Sequence, residues 1–174
     1  MKIDQRMQPI RLILSDVDGV LTNGNLSFDN QGIESKTFHV RDGMGIKLWQ
    51  RSGHKFGIIT ARSSHIVKIR MVELGVEIVR QGSENKLPVG LQVIQEMGLT
   101  LDQVCYIGDD LSDLGLLSKV GLAATVADGA PELKSIAHVT TTSKGGSGAI
   151  RELIELILKS QNRWQELLQT YYDA

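Results

Sequence analysis

Ile13-Leu14-Ser15-Asp16-Val17-Asp18-Gly19-Val20-Leu21-Thr22 is a short apolar run that ends in two aspartates one residue apart, followed at once by glycine. A strand over Ile10–Ser15 delivers Asp16 to its carboxyl end, where open parallel sheets place their ligand crevice, and the chain beyond must turn. Asp16 and Asp18 then face one pocket, an arrangement suited to phosphoryl chemistry. A carboxylate attacks phosphorus once Mg²⁺ neutralises the phosphate oxygens, giving an aspartyl phosphate. A second carboxylate protonates the leaving alcohol and later activates water. Gly19 has no Cβ and lets the backbone approach a ligand closely. Calcium loops also open on Asp-x-Asp-Gly, but they continue with further oxygen ligands and close on a glutamate, whereas Val20, Leu21 and Thr22 follow here.

Working outward, the 174 residues fit one domain spanning 1–174, and 41% hydrophobic with 5% aromatic content suits an α/β protein with a sizeable core. Nineteen basic against twenty acidic residues leave a formal charge of -1, without the basic stripe that nucleic-acid phosphates require, so nucleic acid is not an expected partner. The lone Cys105 lies in the apolar run Val104–Ile107, which excludes a disulfide framework and reads as a buried strand thiol in a reducing cytoplasm. Met1–Pro9 has no apolar core of signal-peptide length, and nowhere do about eighteen apolar residues run together, so neither export nor membrane insertion is expected.

Strand-like runs at Ile10–Ser15, Lys55–Thr60, Val76–Val79, Gln103–Ile107 and Gly121–Thr125 alternate with helical periodicity over Asp42–Arg51, Ser63–Leu74 and Asn85–Met97. The helices stop at Gly53, Gly75 and Gly98, each a C-terminal cap. Such alternation predicts a Rossmann-like parallel sheet with helices on both faces. Pro131 suits the first turn of a short helix, and Ile150–Leu168 carries Leu153, Ile154, Ile157 and Leu158 at helical spacing, within a C-terminal helix and tail over about 149–174. One segment, about 23–40, breaks the pattern: Asn25–Phe28 and Ile33–Phe38 flank Asp29-Asn30-Gln31-Gly32, which predicts a β-hairpin flap. No block of sequence is left for a cap domain.

Further along stand Thr60 and Arg62 after an apolar strand, then Lys86, then Gly108-Asp109-Asp110-Leu111-Ser112-Asp113. Each group falls at or after a strand end, and in a parallel sheet those ends converge, so a hydroxyl, a lysine and a second acidic cluster meet Asp16 and Asp18. Mg²⁺ takes octahedral oxygen coordination with retained waters, for which Asp16, Asp109, the Val17 carbonyl and a phosphate oxygen suffice. Thr60 donates to phosphate, and Lys86 offsets both the phosphate and the mutually repelling carboxylates.

In this order the four segments resemble the haloacid dehalogenase-like superfamily of aspartate-nucleophile phosphatases. The resemblance implies Asp16 as nucleophile, Asp18 as general acid/base, Thr60 and Lys86 as phosphate binders, and a metal site at Asp16, Asp18 and Asp109 supported by Asp113 and by Asp110 as an outer or helix-start acid. A closer resemblance, over about residues 10–156, is to the capless 3-deoxy-D-manno-octulosonate 8-phosphate phosphatases. It is carried by Asp18–Thr22, by Phe38-His-Val-Arg-Asp-Gly-Met-Gly-Ile46 and by Gly145-Gly-Ser-Gly-Ala-Ile-Arg-Glu152. That family implies hydrolysis of a small acidic sugar phosphate in lipopolysaccharide sugar biosynthesis. It also implies a homotetramer in which flaps associate across subunits and C-terminal tails reach a neighbouring site. Asn23, Ala61 and Gly115 depart from the residues common there. A nine-carbon ulosonate 9-phosphate is the alternative substrate. A phospho-accepting receiver shares the residue types in a different order, and a non-catalytic scaffold leaves the full set unexplained.

Several residues also have plain structural readings. Thr60 at a strand end can cap the next helix, although Ser63 serves equally well. Arg62 is either a solvated helix-start residue or a bidentate clamp for a sugar carboxylate. Lys86 at a helix N-terminus opposes the macrodipole, which a bound anion would explain. His39, Arg41 and Asp42 close the flap as turn and capping residues, and the resemblance raises Arg41 to a substrate contact. Gly145, Gly146 and Gly148 form either a linker or an anion-binding approach to the last helix. His54, His65 and His138 lack metal-ligand spacing.

Overall fold

The computed structural model describes residues 2–173. Its frame is a six-stranded, all-parallel sheet in the order β5-β4-β1-β6-β7-β8, with β1 Leu12–Ser15, β4 Lys55–Ile59, β5 Ile78–Arg80, β6 Val104–Gly108, β7 Leu122–Thr125 and β8 Val139–Thr140. Every residue of β1 is buried because helices cover both faces. Ile13 joins the core on one side, while Leu12 and Leu14 join the core on the other. That two-sided burial is why the run reads as continuously apolar. From β1 the chain moves outward through β4 and β5, then returns across β1 to build β6, β7 and β8 on the opposite flank. The crevice between β1 and β6 is therefore the topological switch point, where ligands bind in open α/β sheets.

Helices α2 Val40–Arg51, α3 His65–Glu73 and α7 Ala149–Ser160 pack on one face, and α4 Lys86–Glu96, α5 Leu114–Leu117 and α6 Pro131–Ile136 on the other. A short helix, α1 Ile3–Met7, and the edge strand β8 are elements that the sequence pattern did not predict. The expected strand at Val76–Val79 lies slightly further on, as β5.

The predicted continuous helix over Ile150–Leu168 is instead two, α7 and α8 Trp164–Tyr172. Asn162 takes a left-handed φ of 58° between them. The Gln161 amide donates to the carbonyls of Met7 and Ile10 at 3.0 and 2.9 Å, tying the end of α7 to the start of the chain. Asparagine tolerates this backbone region better than most non-glycine residues, so the break is placed where the sequence permits it.

The flap is shorter in ladder than predicted: β2 Ser27–Phe28 and β3 Glu34–Ser35 pair antiparallel over two residues each. Its turn is closed by Asp29 Oδ1, which accepts from the N–H groups of Gln31 and Ile33 at 2.9 and 2.8 Å, with Gly32 at φ 77°. Among the described residues no helix is long and apolar enough to cross a membrane.

Ile150, Leu153, Ile154, Ile157 and Leu158 are all fully buried on the sheet side of α7. Truncating Ile154 to alanine removes one of the central contacts, and it is expected to cost about 2–5 kcal/mol, read as a lower urea midpoint at unchanged slope.

Candidate active site

Three strand ends supply the site. Asp16 follows β1 and is held down by its own N–H donating to the Ile107 carbonyl of β6 at 3.0 Å. Thr60 follows β4, with its N–H on the Arg80 carbonyl at 2.9 Å. Asp109 follows β6. One carboxylate oxygen each from Asp16, Asp109 and Asp113 lies within 4.8 Å of the others, so the aspartates at the ends of β1 and β6 meet across the switch point despite their separation in sequence.

Lys86 sits at the centre of this cluster with only 1% of its side chain exposed. Its Nζ lies 2.6 Å from Asp16 Oδ2 and 2.6 Å from Asp113 Oδ1. Placing a lysine at the first position of α4 opposes that helix's dipole, and the two carboxylates outweigh the effect. Burial alone would lower the Lys86 pKa, but Asp16 and Asp113 raise it overall, so the ammonium stays charged.

Asp113 is completely buried and uses both oxygens inside the protein. Oδ1 accepts from Lys86 and from the Tyr106 hydroxyl at 2.5 Å, while Oδ2 accepts from the N–H groups of Asp109 and Asp110 at 2.9 and 3.2 Å. It orients Lys86 and the Asp109 turn and has little capacity left for an ion. Asp110 is exposed and caps the single-turn helix Leu111–Asp113 by accepting from the Leu111 N–H at 2.8 Å.

Asp16 and Asp109 are the carboxylates with oxygens to offer. Asp16 Oδ1 accepts the Val17 N–H at 2.6 Å. Burial first, then the Asp113 charge, pushes its pKa up to about 6 against the opposing pull of Lys86. Burial, Asp16 and Asp113 push Asp109 up to about 7. One lysine does not neutralise three crowded carboxylates, and their hard oxygen donors fit Mg²⁺. A divalent cation between Asp16 and Asp109 relieves the repulsion that these shifts record.

The expectation that the Val17 carbonyl joins this donor set is overturned. That oxygen accepts the N–H groups of Val20, Leu21 and Thr22 at 3.3, 2.9 and 3.1 Å, closing the turn that follows β1. The Asp18 carbonyl accepts no backbone hydrogen bond in this turn among the described residues, and it is the loop oxygen with capacity to spare.

Gly19, at φ 89°, is required by Asp109: a Cβ there would overlap Asp109 Oδ2. Gly145 and Gly146 are required by the same loop, because a Cβ on either would collide with the backbone of Gly19, Thr22 or Asn23, and the Gly146 N–H donates to the Val20 carbonyl at 2.9 Å. The glycine-rich stretch is thus a backbone-to-backbone brace on the Asp16–Thr22 loop, neither a free linker nor an anion cradle.

Asp42 does not begin its own helix, which starts at Val40. Its buried carboxylate accepts from the N–H groups of Arg151 and Gly148 at 2.8 and 3.3 Å, capping α7 from the first turn of α2. Burial raises its pKa, and those N–H groups oppose the rise.

Of the remaining residues singled out by sequence, Thr60 is buried and its Oγ1 accepts the Arg62 N–H at 3.3 Å. Arg62 reaches the flap, donating from Nη2 to Glu34 Oε1 at 2.7 Å, and its Nε lies 3.7 Å from Asp18 Oδ2. That Nε–H is buried with no hydrogen-bond acceptor, while 41% of the side chain is exposed. Asp18 is paired with Lys36 of the flap, and its carboxylate is not among the three whose oxygens lie within 4.8 Å of one another. Arg41 is exposed and lines a surface cleft of about 480 Å³ with Ser143, Ser147, Arg151 and Glu152, none of them a member of the acidic cluster.

Sequence reasoning missed Lys36, Glu34, Ser64 and Tyr106. Lys36 and Glu34 alternate on one side of a strand, which was the available signal.

The raised pKa values of Asp16 and Asp109 fix a stability trend. From the ordinary 3.8 up to about 7 the metal-free native state holds protons that the unfolded chain has released, so stability falls as pH rises through that window. Asp109→Asn removes one repelling charge. In thermal melts with EDTA the variant should match the parent near pH ~4, gain on it steadily to pH ~7, and level off above; a gap that narrows with rising pH contradicts this account.

Residues 73–153 match the haloacid dehalogenase-like hydrolase family. The 3-deoxy-D-manno-octulosonate 8-phosphate phosphatase of Yersinia pestis is 42% identical over 159 residues, covering 91% of this chain and 85% of that relative. Among solved structures, the corresponding phosphatase of Moraxella catarrhalis, in complex with magnesium ion, phosphate ion and KDO, superposes with a TM-score of 0.95 at 38% identity over 97% of both chains. The cobalt-bound deoxy-D-mannose-octulosonate 8-phosphate phosphatase of Haemophilus influenzae superposes with a TM-score of 0.89 at 34% identity, over 92% of this chain and 94% of that one. Likeness at this level, over nine-tenths of the chain, leads to one conclusion: the chain belongs to the 3-deoxy-D-manno-octulosonate 8-phosphate phosphatase family of haloacid dehalogenase-like hydrolases.

Proposed function

We propose that this protein is a Mg²⁺-dependent phosphatase that hydrolyses 3-deoxy-D-manno-octulosonate 8-phosphate to the free sugar acid and phosphate through an aspartyl-phosphate intermediate. The observation that carries the reading is the cluster of Asp16, Asp109 and Asp113 at the switch point, with buried Lys86 paired to Asp16 and Asp113, in a chain that superposes on a relative solved with magnesium, phosphate and KDO.

Asp16 and Asp109 hold the metal, with the Asp18 carbonyl as the loop's own oxygen, and bound Mg²⁺ supplies neutralisation of the phosphate oxygens. Lys86 and the Thr60 hydroxyl bind those oxygens from the protein side. Asp16, its carboxylate fixed by the Val17 N–H and by Lys86, attacks phosphorus, and the bond from phosphorus to the sugar oxygen breaks. Asp18 gives its proton to that leaving oxygen. Now ionised, Asp18 takes a proton from water, and the water oxygen attacks phosphorus to release Asp16. Arg62, beside Asp18 and with 41% of its side chain exposed, binds the sugar carboxylate. Gly19 keeps the loop clear of Asp109, and Asp113 and Asp110 shape the turn that carries it.

Initial rates over a panel of eight- and nine-carbon ulosonate phosphates and hexose phosphates should favour the eight-carbon 8-phosphate. Asp16→Asn should abolish turnover on it. Equal rates with hexose phosphates, or retained activity in the variant, overturn the reading.

We further propose a cytoplasmic homotetramer. Its support is the exposed apolar face of the flap, where Leu26, Phe28 and Ile33 lie more than half exposed, a surface suited to association. A mass measurement in solution should give four copies; a monomer rejects the assembly.

A further inference from the structure

The flap carries one lysine, Lys36, and its side chain is only 1% exposed. Lysine is almost never buried unless paired. Its Nζ pairs with Asp18 Oδ1 and lies 3.2 Å from Glu34 Oε1. Glu34 in turn fastens the flap to the loop after β4. Its Oε1 accepts from Arg62 Nη2 at 2.7 Å and its Oε2 from the Ser64 hydroxyl at 2.8 Å.

The contrast with the neighbouring aspartates is what gives this clasp meaning. Asp16 is held by Val17 and Lys86, and Asp113 by four donors, all from the body of the fold. The Asp18 carboxylate takes its only hydrogen bond among the described residues from Lys36, with Arg62 at ion-pair distance on the other oxygen. Its orientation is thus set from outside its own loop. A general acid must sit within about 2.6–3.2 Å of the atom it protonates, so whatever fixes the direction of Asp18 controls the step.

We propose that Lys36 is a positioning residue for Asp18: a flap-borne ammonium, seated by the Glu34–Arg62–Ser64 clasp, that holds Oδ1 and so aims Oδ2, the oxygen carrying the transferred proton, at the leaving oxygen. The inference rests on the phosphatase reading above. Proton delivery to the sugar oxygen is then complete only when the hairpin is closed on its own subunit's site.

The test separates proton delivery from everything else. An alkyl leaving group such as the sugar 8-oxygen needs a proton as the phosphorus–oxygen bond breaks. The p-nitrophenolate ion leaves without one. Lys36→Met should lower kcat on the sugar 8-phosphate about a hundredfold with KM within about threefold, the size expected for a misplaced general acid. The single-turnover release of p-nitrophenolate from p-nitrophenyl phosphate, which reports transfer to Asp16, should stay within about threefold of the parent. Lys36→Arg should restore most of the sugar-phosphate rate, and Glu34→Gln should reproduce the Lys36→Met pattern in weaker form. Equal losses on both substrates mean a merely structural lysine and overturn the proposal. A rise in KM alone means a substrate contact and also overturns it. Should Lys36→Met fail to fold, Lys36→Arg and Glu34→Gln carry the same comparison. Failure of the phosphatase reading is distinct, since the parent enzyme would then release no phosphate from either substrate.

Discussion

Three carboxylates share the edge of one sheet with a single buried ammonium, and that imbalance organises the rest of the molecule. Lys86 can be buried only because Asp16 and Asp113 surround it, and they can approach each other only because it lies between them. Tyr106, from the middle of a central strand, and two backbone N–H groups complete the shell of Asp113. What remains uncompensated is the charge of Asp109 against Asp16, and a divalent cation is the partner of matching sign and hardness. The site is therefore under electrostatic stress without metal, consistent with carboxyls that hold their protons at unusually high pH.

The backbone around this cluster is as demanding as the charges. Gly19 yields its side-chain space to Asp109, Gly108 yields its own to Asp113, and Gly145 and Gly146 let a distant loop lie directly on the turn after β1. The Gly145 and Gly146 contacts are backbone against backbone, where no rotamer can adjust.

Much of this was legible in the residues. The apolar run ending at Asp16, the strand-end positions of Thr60 and Asp109, and the regular spacing of buried residues in α7 all follow from period and turn chemistry. What was hidden has physical reasons. Trp164, Leu167 and Leu168 continue the apolar content of α7, so nothing in the pattern marks the left-handed residue at Asn162. Asp42 has the composition of a local cap, yet its partners lie more than a hundred residues away. A solitary lysine in a hairpin looks like surface until the fold brings Asp18 to it. The Val17 carbonyl was assigned from its place in the chain, and only the turn's hydrogen bonds show it spent.

The bond from Asp42 into the start of α7 has a mechanical consequence. It anchors the chain one turn past the flap, to a helix that is itself fully seated on the sheet. Any swing of the hairpin must therefore pivot upstream of residue 42, about Phe38 and His39 at one end and the Asn23–Asn25 bend at the other, while the floor beneath stays fixed. Opening the crevice would then take only a short two-ended arm, without the parting of lobes that larger enzymes use.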